Sequence, residues 1–301
     1  MKSFLFACAI CCASTQISFG ALDTKKIDEL TGLKGKLNEK EGAYKVTFPR
    51  DDVKVAVDGW TMAPFMGLGT WAAFTDTKDG VMVMGDTVLF EDEVNDAMSA
   101  ALDNGLSVTA LHNHFFFDKP KVYFMHIEGE GSINQLAEAV KKMYDAVKQV
   151  RAANPQPKES FGGNSLPEKN SISGEPLNKI FGAQGEAKDG MAKFTFGRPA
   201  TMHGVKIDNM MGVNTWAAFA GGDDNAVVDG DFVVTEDELQ PVLKSLVKSK
   251  IYIVAIHQHM THEQPRMMFF HYWGRGAAKD LASTIKGAFL VAGLQEVSSP
   301  K

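Results

Sequence analysis

Six histidines carry most of the chemistry open to this chain. His112-Asn113-His114 is followed by His126, and His257-Gln258-His259 is followed by His271. The second set lies 145 residues after the first (257 less 112), and the histidines are kept while their neighbours change. In a β-strand, residues i and i+2 face the same way, so each His-x-His projects two imidazoles together. If the following strand folds back through a turn at Asp118–Pro120, His126 lands nearly opposite His114, because the two are symmetric about position 120. Three imidazoles on one patch of sheet suit zinc.

Carboxylates could complete such a site. Asp118 and Glu263 occupy matching turn positions, and Glu93 and Glu238 open the helices that lead into the His-x-His strands. Either pair could serve as ligand, orienting partner or general base. The candidate metal ligands are therefore His112, His114, His126, His257, His259, His271, Asp118 and Glu263, with Glu93 and Glu238 as candidate bases. Zinc is the first metal. Copper is the second, because Met66, Met82, Met84, Met98, Met210, Met211, Met260, Met267 and Met268 cluster near the motifs, and thioethers beside imidazoles favour copper(I). Most of these methionines read as core filling. His262 matches Phe117, which makes the second site the more polar. Two blander readings stand beside the metal: a metal-free polar pocket, and hydrogen-bonded structural histidines.

The elements that must position these residues are duplicated too. Met66–Gly131 aligns with Met211–Gly276 without a gap, and Thr70-Trp71-Ala72-Ala73-Phe74 repeats as Thr215-Trp216-Ala217-Ala218-Phe219. Each copy reads as a short helix (Thr24–Leu33 in the first, capped by Asp23) and then strands near Ala43–Phe48, Val53–Val57, Thr70–Phe74 and Val81–Leu89. A helix over Glu91–Asn104 has its acidic residues in the first turn, where the dipole favours them. Strands over Ser107–His114 and Lys121–Glu128 and an amphipathic helix from Ile133 to about Arg151 complete the unit. The fold class is α+β, internally duplicated, with mostly antiparallel sheets and helices packed on one face. Trp71 and Trp216 read as core or pocket-wall aromatics. Gly85-Asp86 and Gly230-Asp231 read as a bulge or tight turn, with a ligand role for the aspartates as the lesser alternative, and Gly129 and Gly131, with their copies Gly274 and Gly276, as a turn or close backbone approach. Arg50 and Arg198 read as salt-bridge partners.

The whole chain sets the setting. Residues 1–20 read as a signal peptide: Lys2, an apolar run from Phe4 to about Cys12, and Ser18-Phe19-Gly20 before Ala21. All three cysteines fall inside it, so the exported chain has no thiolate ligand and no disulfide. The first repeat then spans 21–151 and the second 177–301, joined by a Gly-, Pro-, Ser- and Asn-rich linker over 152–176. The net charge of −6 argues against nucleic acid as a partner, and no segment reads as transmembrane. A small-molecule or cell-envelope ligand is the expected partner.

Trp71-Ala72-Ala73-Phe74, Val83-Met84-Gly85-Asp86, Glu91-Asp92-Glu93-Val94-Asn95, Ala110-Leu111-His112-Asn113-His114 and the run from Pro120 through His126 to Gly131 resemble the LppY/LpqO family of exported bacterial proteins. The resemblance covers nearly all of the chain after residue 20. It implies export, often with a lipid anchor, and no settled activity. A convincing lipobox is lacking here. Glu93, His112, His114 and Asp118 can also be laid on the scheme of the JAMM-type zinc peptidases, by analogy alone. The Ser-x-x-Asp of that scheme is absent, and a third histidine stands in its place. The reading is an exported duplicated protein that holds a divalent transition metal on His-x-His hairpins. If the metal does chemistry, it activates water for hydrolysis of a cell-envelope substrate. The alternative is a non-catalytic metal- or small-ligand-binding periplasmic module.

Overall fold

The structure is a computed structural model that describes residues 22–293; the expected signal peptide lies outside the described residues. The first copy runs α1 (Thr24–Thr31), β1 (Lys36–Asn38), β2 (Ala43–Pro49), β3 (Ala56–Val57), β4 (Trp60–Thr61), β5 (Gly69–Thr77), β6 (Gly80–Phe90), α2 (Val94–Asp103), β7 (Ser107–His112), β8 (Asp118–Lys119), β9 (Val122–Gly131) and α3 (Ile133–Ala153). The second runs α4 (Gly174–Phe181), β10 (Glu186–Lys188), β11 (Met191–Gly197), β12 (Ala200–Met202), β13 (Val205–Ile207), β14 (Asn214–Gly222), β15 (Asn225–Thr235), α5 (Glu236–Lys248), β16 (Tyr252–His257), β17 (Glu263–Gln264), β18 (Met267–Gly276) and α6 (Ala278–Val291).

The copies do not form separate sheets. Twelve strands make one sheet in the order β1-β2-β5-β6-β9-β7-β16-β18-β15-β14-β11-β10, and Leu111 of β7 pairs with Ile256 of β16 at its centre. The expected fold class, a duplicated α+β architecture of mostly antiparallel sheet, is what the chain adopts. Helices cover one face, where alternate strand residues such as Ala72, Phe74, Val83, Leu111 and Ile127 are buried with Val140 and Met143 of α3. On the opposite face a small three-stranded sheet, β4-β3-β8 or β13-β12-β17, caps the outer end of each copy. The last six residues of β6 are therefore buried throughout: Val88 and Phe90 pack under the small sheet against Val53 and Val55. Only Ala56 and Val57 of the expected strand over Val53–Val57 pair as strand, because Val53 and Val55 serve as that cap's core.

The seam between the copies is closed by an exchange of amides. A bulge interrupts β7 between Val108 and Ala110, and another interrupts β16 between Ile253 and Ala255. Each bulge leaves backbone groups without a ladder partner. Gln240 of α5 crosses to the first copy, accepting from Val108 N (2.8 Å) and donating to Val108 O (3.0 Å). Asn95 of α2 crosses the other way, donating to Ile251 O (2.8 Å) and accepting from Ile253 N (3.2 Å).

Two local expectations change. Gly85 and Gly230 lie mid-strand with no bulge: a Cβ there would stand 2.7 Å from Trp71 O or 2.4 Å from Trp216 O, so close strand approach explains the glycines. Helix α2 starts at Val94 and leaves Glu91 and Asp92 in a preceding turn, whereas α5 starts at Glu236. Position 235 holds a threonine that forms a capping box with Glu238, whereas the matching Phe90 has no hydroxyl to cap with. Gln240→Ala removes both bonds to the Val108 bulge. It is expected to cost about 1–3 kcal/mol in urea unfolding, because a buried N–H loses its partner. An unchanged midpoint would show that the amide exchange does not hold the seam.

Candidate metal centre

The histidines lie on the sheet face away from the helices, between the small capping sheets. The register around the turn differs from the expected one. Ala110 pairs with His126 and His112 with Phe124, so the hairpin is centred two residues earlier than Pro120. Residues after His112 leave the sheet to supply β8, which pairs with β3 in the cap. Because the shift is even, every side chain keeps its face. His126 thus sits diagonal to His112, with ring centroids 5.2 Å apart, instead of opposite His114. The strand also ends at His112, but His114 remains beside it, stacked on Phe124 at 3.4 Å.

In each copy the two His-x-His rings turn the same atoms toward each other. His112 Nε2 and His114 Nε2 are 3.1 Å apart, as are His257 Nε2 and His259 Nε2. Two nitrogens bound tetrahedrally to one zinc, each at about 2.0–2.1 Å, stand about 3.3 Å apart. In the second copy His259 Nδ1 lies 3.0 Å from Gly212 O. A carbonyl can only accept, so Nδ1 carries a proton and the tautomer aims the Nε2 lone pair into the cluster. Asp231 Oδ2 lies 3.2 Å from that Nε2. A lone pair facing a carboxylate at this distance needs a cation, either a second proton or a metal, between them. Asp231, His257 and His259 are the group among the described residues whose donor atoms converge closely enough to hold one ion.

The aspartates are the component that motif reading ranked below a turn role. Asp86 pairs across the ladder with His126, and Asp231 with His271. Both are buried, and each has one oxygen, Oδ1, without a hydrogen-bond partner among the described residues. Burial pushes both carboxyls above the usual range, against the opposing pull of His126 and His112 on Asp86 and of His271 and His259 on Asp231. Burial also lowers His257 to about 4, reinforced by the His271 and His259 imidazoles, so its ring is neutral and free to coordinate at pH 7. Burial lowers His112 and His114 as well. The usable signal in the sequence was that Gly-Asp recurs in both copies and lies one strand away from each third histidine.

The third histidines stack against the cluster. His126 and His271 lie nearly parallel to His112 and His257, at 8° and 11°, with centroids 5.2 and 4.9 Å apart. Among the described residues, neither joins the group whose donor atoms converge closely enough to hold one ion. Their place is beside the aspartates, and His271 Nδ1 lies 3.3 Å from Gly230 O.

The four candidate carboxylates lie elsewhere. Asp118 accepts from Val122 N (2.6 Å) and Glu263 from Met267 N (3.0 Å); both are buried, closing the turns between strands. Glu93 is fully buried, accepts hydrogen bonds from Arg50 Nη1 (2.8 Å), Arg50 Nη2 (2.9 Å) and Phe90 N (2.8 Å), and forms an ion pair with Arg151 Nε (2.7 Å). Glu238 is held by Arg198 (2.7 Å to Nη2) and by Thr235 N (2.9 Å). These glutamates are occupied as anchors for arginines, the role read for Arg50 and Arg198. Trp71 and Trp216 wall the open face, under Lys45 and Lys193 respectively. His262 pairs with His203, ring centroids 5.7 Å apart, outside the cluster. Met98 and Met267 fill core as expected, whereas Met66, Met84, Met210 and Met211 are exposed.

The model of a domain of unknown function (DUF1259) matches residues 25–146 and again 175–291. The chain belongs to that family. Each DUF1259 copy carries one His-x-His, one stacked histidine and, paired with that histidine across the ladder, one buried aspartate. No curated protein and no solved structure matches the chain.

Glu93→Gln tests the anchor role. Leaving Arg50 and Arg151 without the buried carboxylate is expected to cost at least about 3 kcal/mol in chemical unfolding. Glu238→Gln, at a partly exposed pair, should cost less. Equal, negligible losses in both would remove the structural assignment.

Proposed function

We propose that this chain is an exported, duplicated metal-binding protein, with a divalent ion held by His257, His259 and Asp231 and a sister site at His112, His114 and Asp86. The observation that carries it is the pair of Nε2 atoms 3.1 Å apart, facing the buried Asp231 carboxylate at 3.2 Å from His259. Two imidazoles and a carboxylate favour zinc, leave a coordination position open, and equally admit iron(II); copper(I), which prefers thioethers, ranks lower. His126 and His271 act as orienting neighbours of the aspartates. Export rests on the Lys2, apolar and Ser18-Phe19-Gly20 pattern, and the likeness of the repeated motifs to the LppY/LpqO family points the same way.

The proposal favours binding over hydrolysis. Glu93 and Glu238, the bases suggested by position, are saturated by arginine. Hydrolysis of a cell-envelope substrate would have to draw its base from elsewhere on the open face. The non-catalytic module is therefore the preferred form, with the open position available to a small ligand.

Elemental mass spectrometry of the untagged, full chain tests the reading. Metal is expected at near-stoichiometric occupancy in the second copy, lost on combining His257→Ala with His259→Ala and on Asp231→Asn alone. His271→Ala should weaken affinity by about 10–100-fold, as loss of an orienting partner does. His112→Ala with His114→Ala should leave the second site loaded. Absence of metal after purification and after titration with zinc, iron(II) and copper would sink the proposal.

A further inference from the structure

A second site lies where the copies meet. The Ile256–Leu111 pair would place Tyr252, at the start of β16, opposite Phe115, but β7 ends at His112. The first residues of β16 therefore lack a neighbour from β7, and the gap toward β9 becomes a cavity of about 470 Å³. That is within the size range of small-ligand pockets, which favour such interfaces. Tyr123 comes from the first copy, Tyr252 and Trp273 from the second, and Phe161 from the segment between them.

The roof is built. Phe161 stacks on Tyr252 with centroids 3.8 Å apart. Arg275 donates to Gly162 O at 2.7 Å and also to Asn164 O, while Lys158 N donates to Asp92 Oδ2 at 3.2 Å. The stretch that reads as a linker is thus strapped to both copies across the cavity mouth.

Charge within the cavity has one sign. Glu91 and Asp229 line it, and neither carboxylate makes a side-chain hydrogen bond or ion pair among the described residues. The cations Lys158, Lys250 and Arg275 line the groove outside, and Arg275 is engaged by the strap. Aromatic faces beside unpaired carboxylates are the chemistry that recognises an ammonium on an apolar body.

We propose that the seam cavity binds an organic cation, a flat apolar group bearing an ammonium, between the Phe161, Tyr252 and Trp273 rings and the Glu91 and Asp229 carboxylates. The site does not depend on the metal. It does adjoin it, since His271 forms part of the cavity wall and stacks on His257.

Calorimetric titration of the chelator-treated full chain with tryptamine, and separately with tryptophol, tests this. The two probes share a ring and differ in ammonium against hydroxyl. Tryptamine is expected to bind about tenfold or more tighter than tryptophol, a difference of about 1.4 kcal/mol. Combining Glu91→Gln with Asp229→Asn should abolish that preference and leave tryptophol unchanged, and Phe161→Ala should weaken both probes. Retained metal uptake at the second centre, or an unchanged circular dichroism spectrum, shows that the variants fold. No tryptamine binding, or equal binding of the two probes, overturns the proposal whatever the metal analysis finds.

Discussion

β7 and β16 meet edge to edge at Leu111 and Ile256, and the open face of the molecule depends on that contact. Without it each copy would present an unpaired strand edge, a liability in water. With it, the two His-x-His strands become the centre of a twelve-stranded sheet, and the histidines of both copies share one surface. The bulges beside the contact would leave backbone groups unsatisfied. Asn95 and Gln240, at equivalent positions of the repeat, satisfy them by reaching into the other copy. The same junction, where β7 leaves the sheet early, opens the seam cavity.

Glu93 and the two cluster aspartates are buried in different ways. Glu93 is buried against two arginines and a backbone N–H, so its charge is matched and its geometry fixed. Asp86 and Asp231 are buried beside imidazoles, with one oxygen each unpartnered among the described residues. A buried carboxylate without a full set of partners is costly. The cost is tolerable when a cation can enter, and the converging Nε2 atoms mark where it would sit. Glutamates that look placed for catalysis in the sequence are thus stabilising anchors, and aspartates that look like turn residues face the candidate centre.

The copies have diverged around a common frame. His259 is oriented by Gly212 O, whereas the matching Gly67 faces the Phe115 ring. Thr235 caps α5 where Phe90 cannot cap α2, and the first copy instead recruits Arg151 to Glu93. Phe116 and Phe117 are exposed on the first copy, while Thr261 and His262 stand there in the second. The second copy holds the better-converged ligand set.

The sequence alone determined the duplication, the element types and the face on which each histidine lies, because strand periodicity is local and an even register shift, here of four residues, preserves it. It also singled out His112, His114, His257 and His259, whose i, i+2 spacing carries its own geometry. Contacts between distant strands carried the rest. Asp86 and Asp231 enter the site through ladder pairing with β9 and β18, Glu93 and Glu238 are withdrawn by arginines about 40 residues away, and residues 158–164 become a strap only once both copies are in place. Local pattern reveals which way a side chain points, but its neighbours across the sheet depend on register and on which edges pair, and only the tertiary structure decided those.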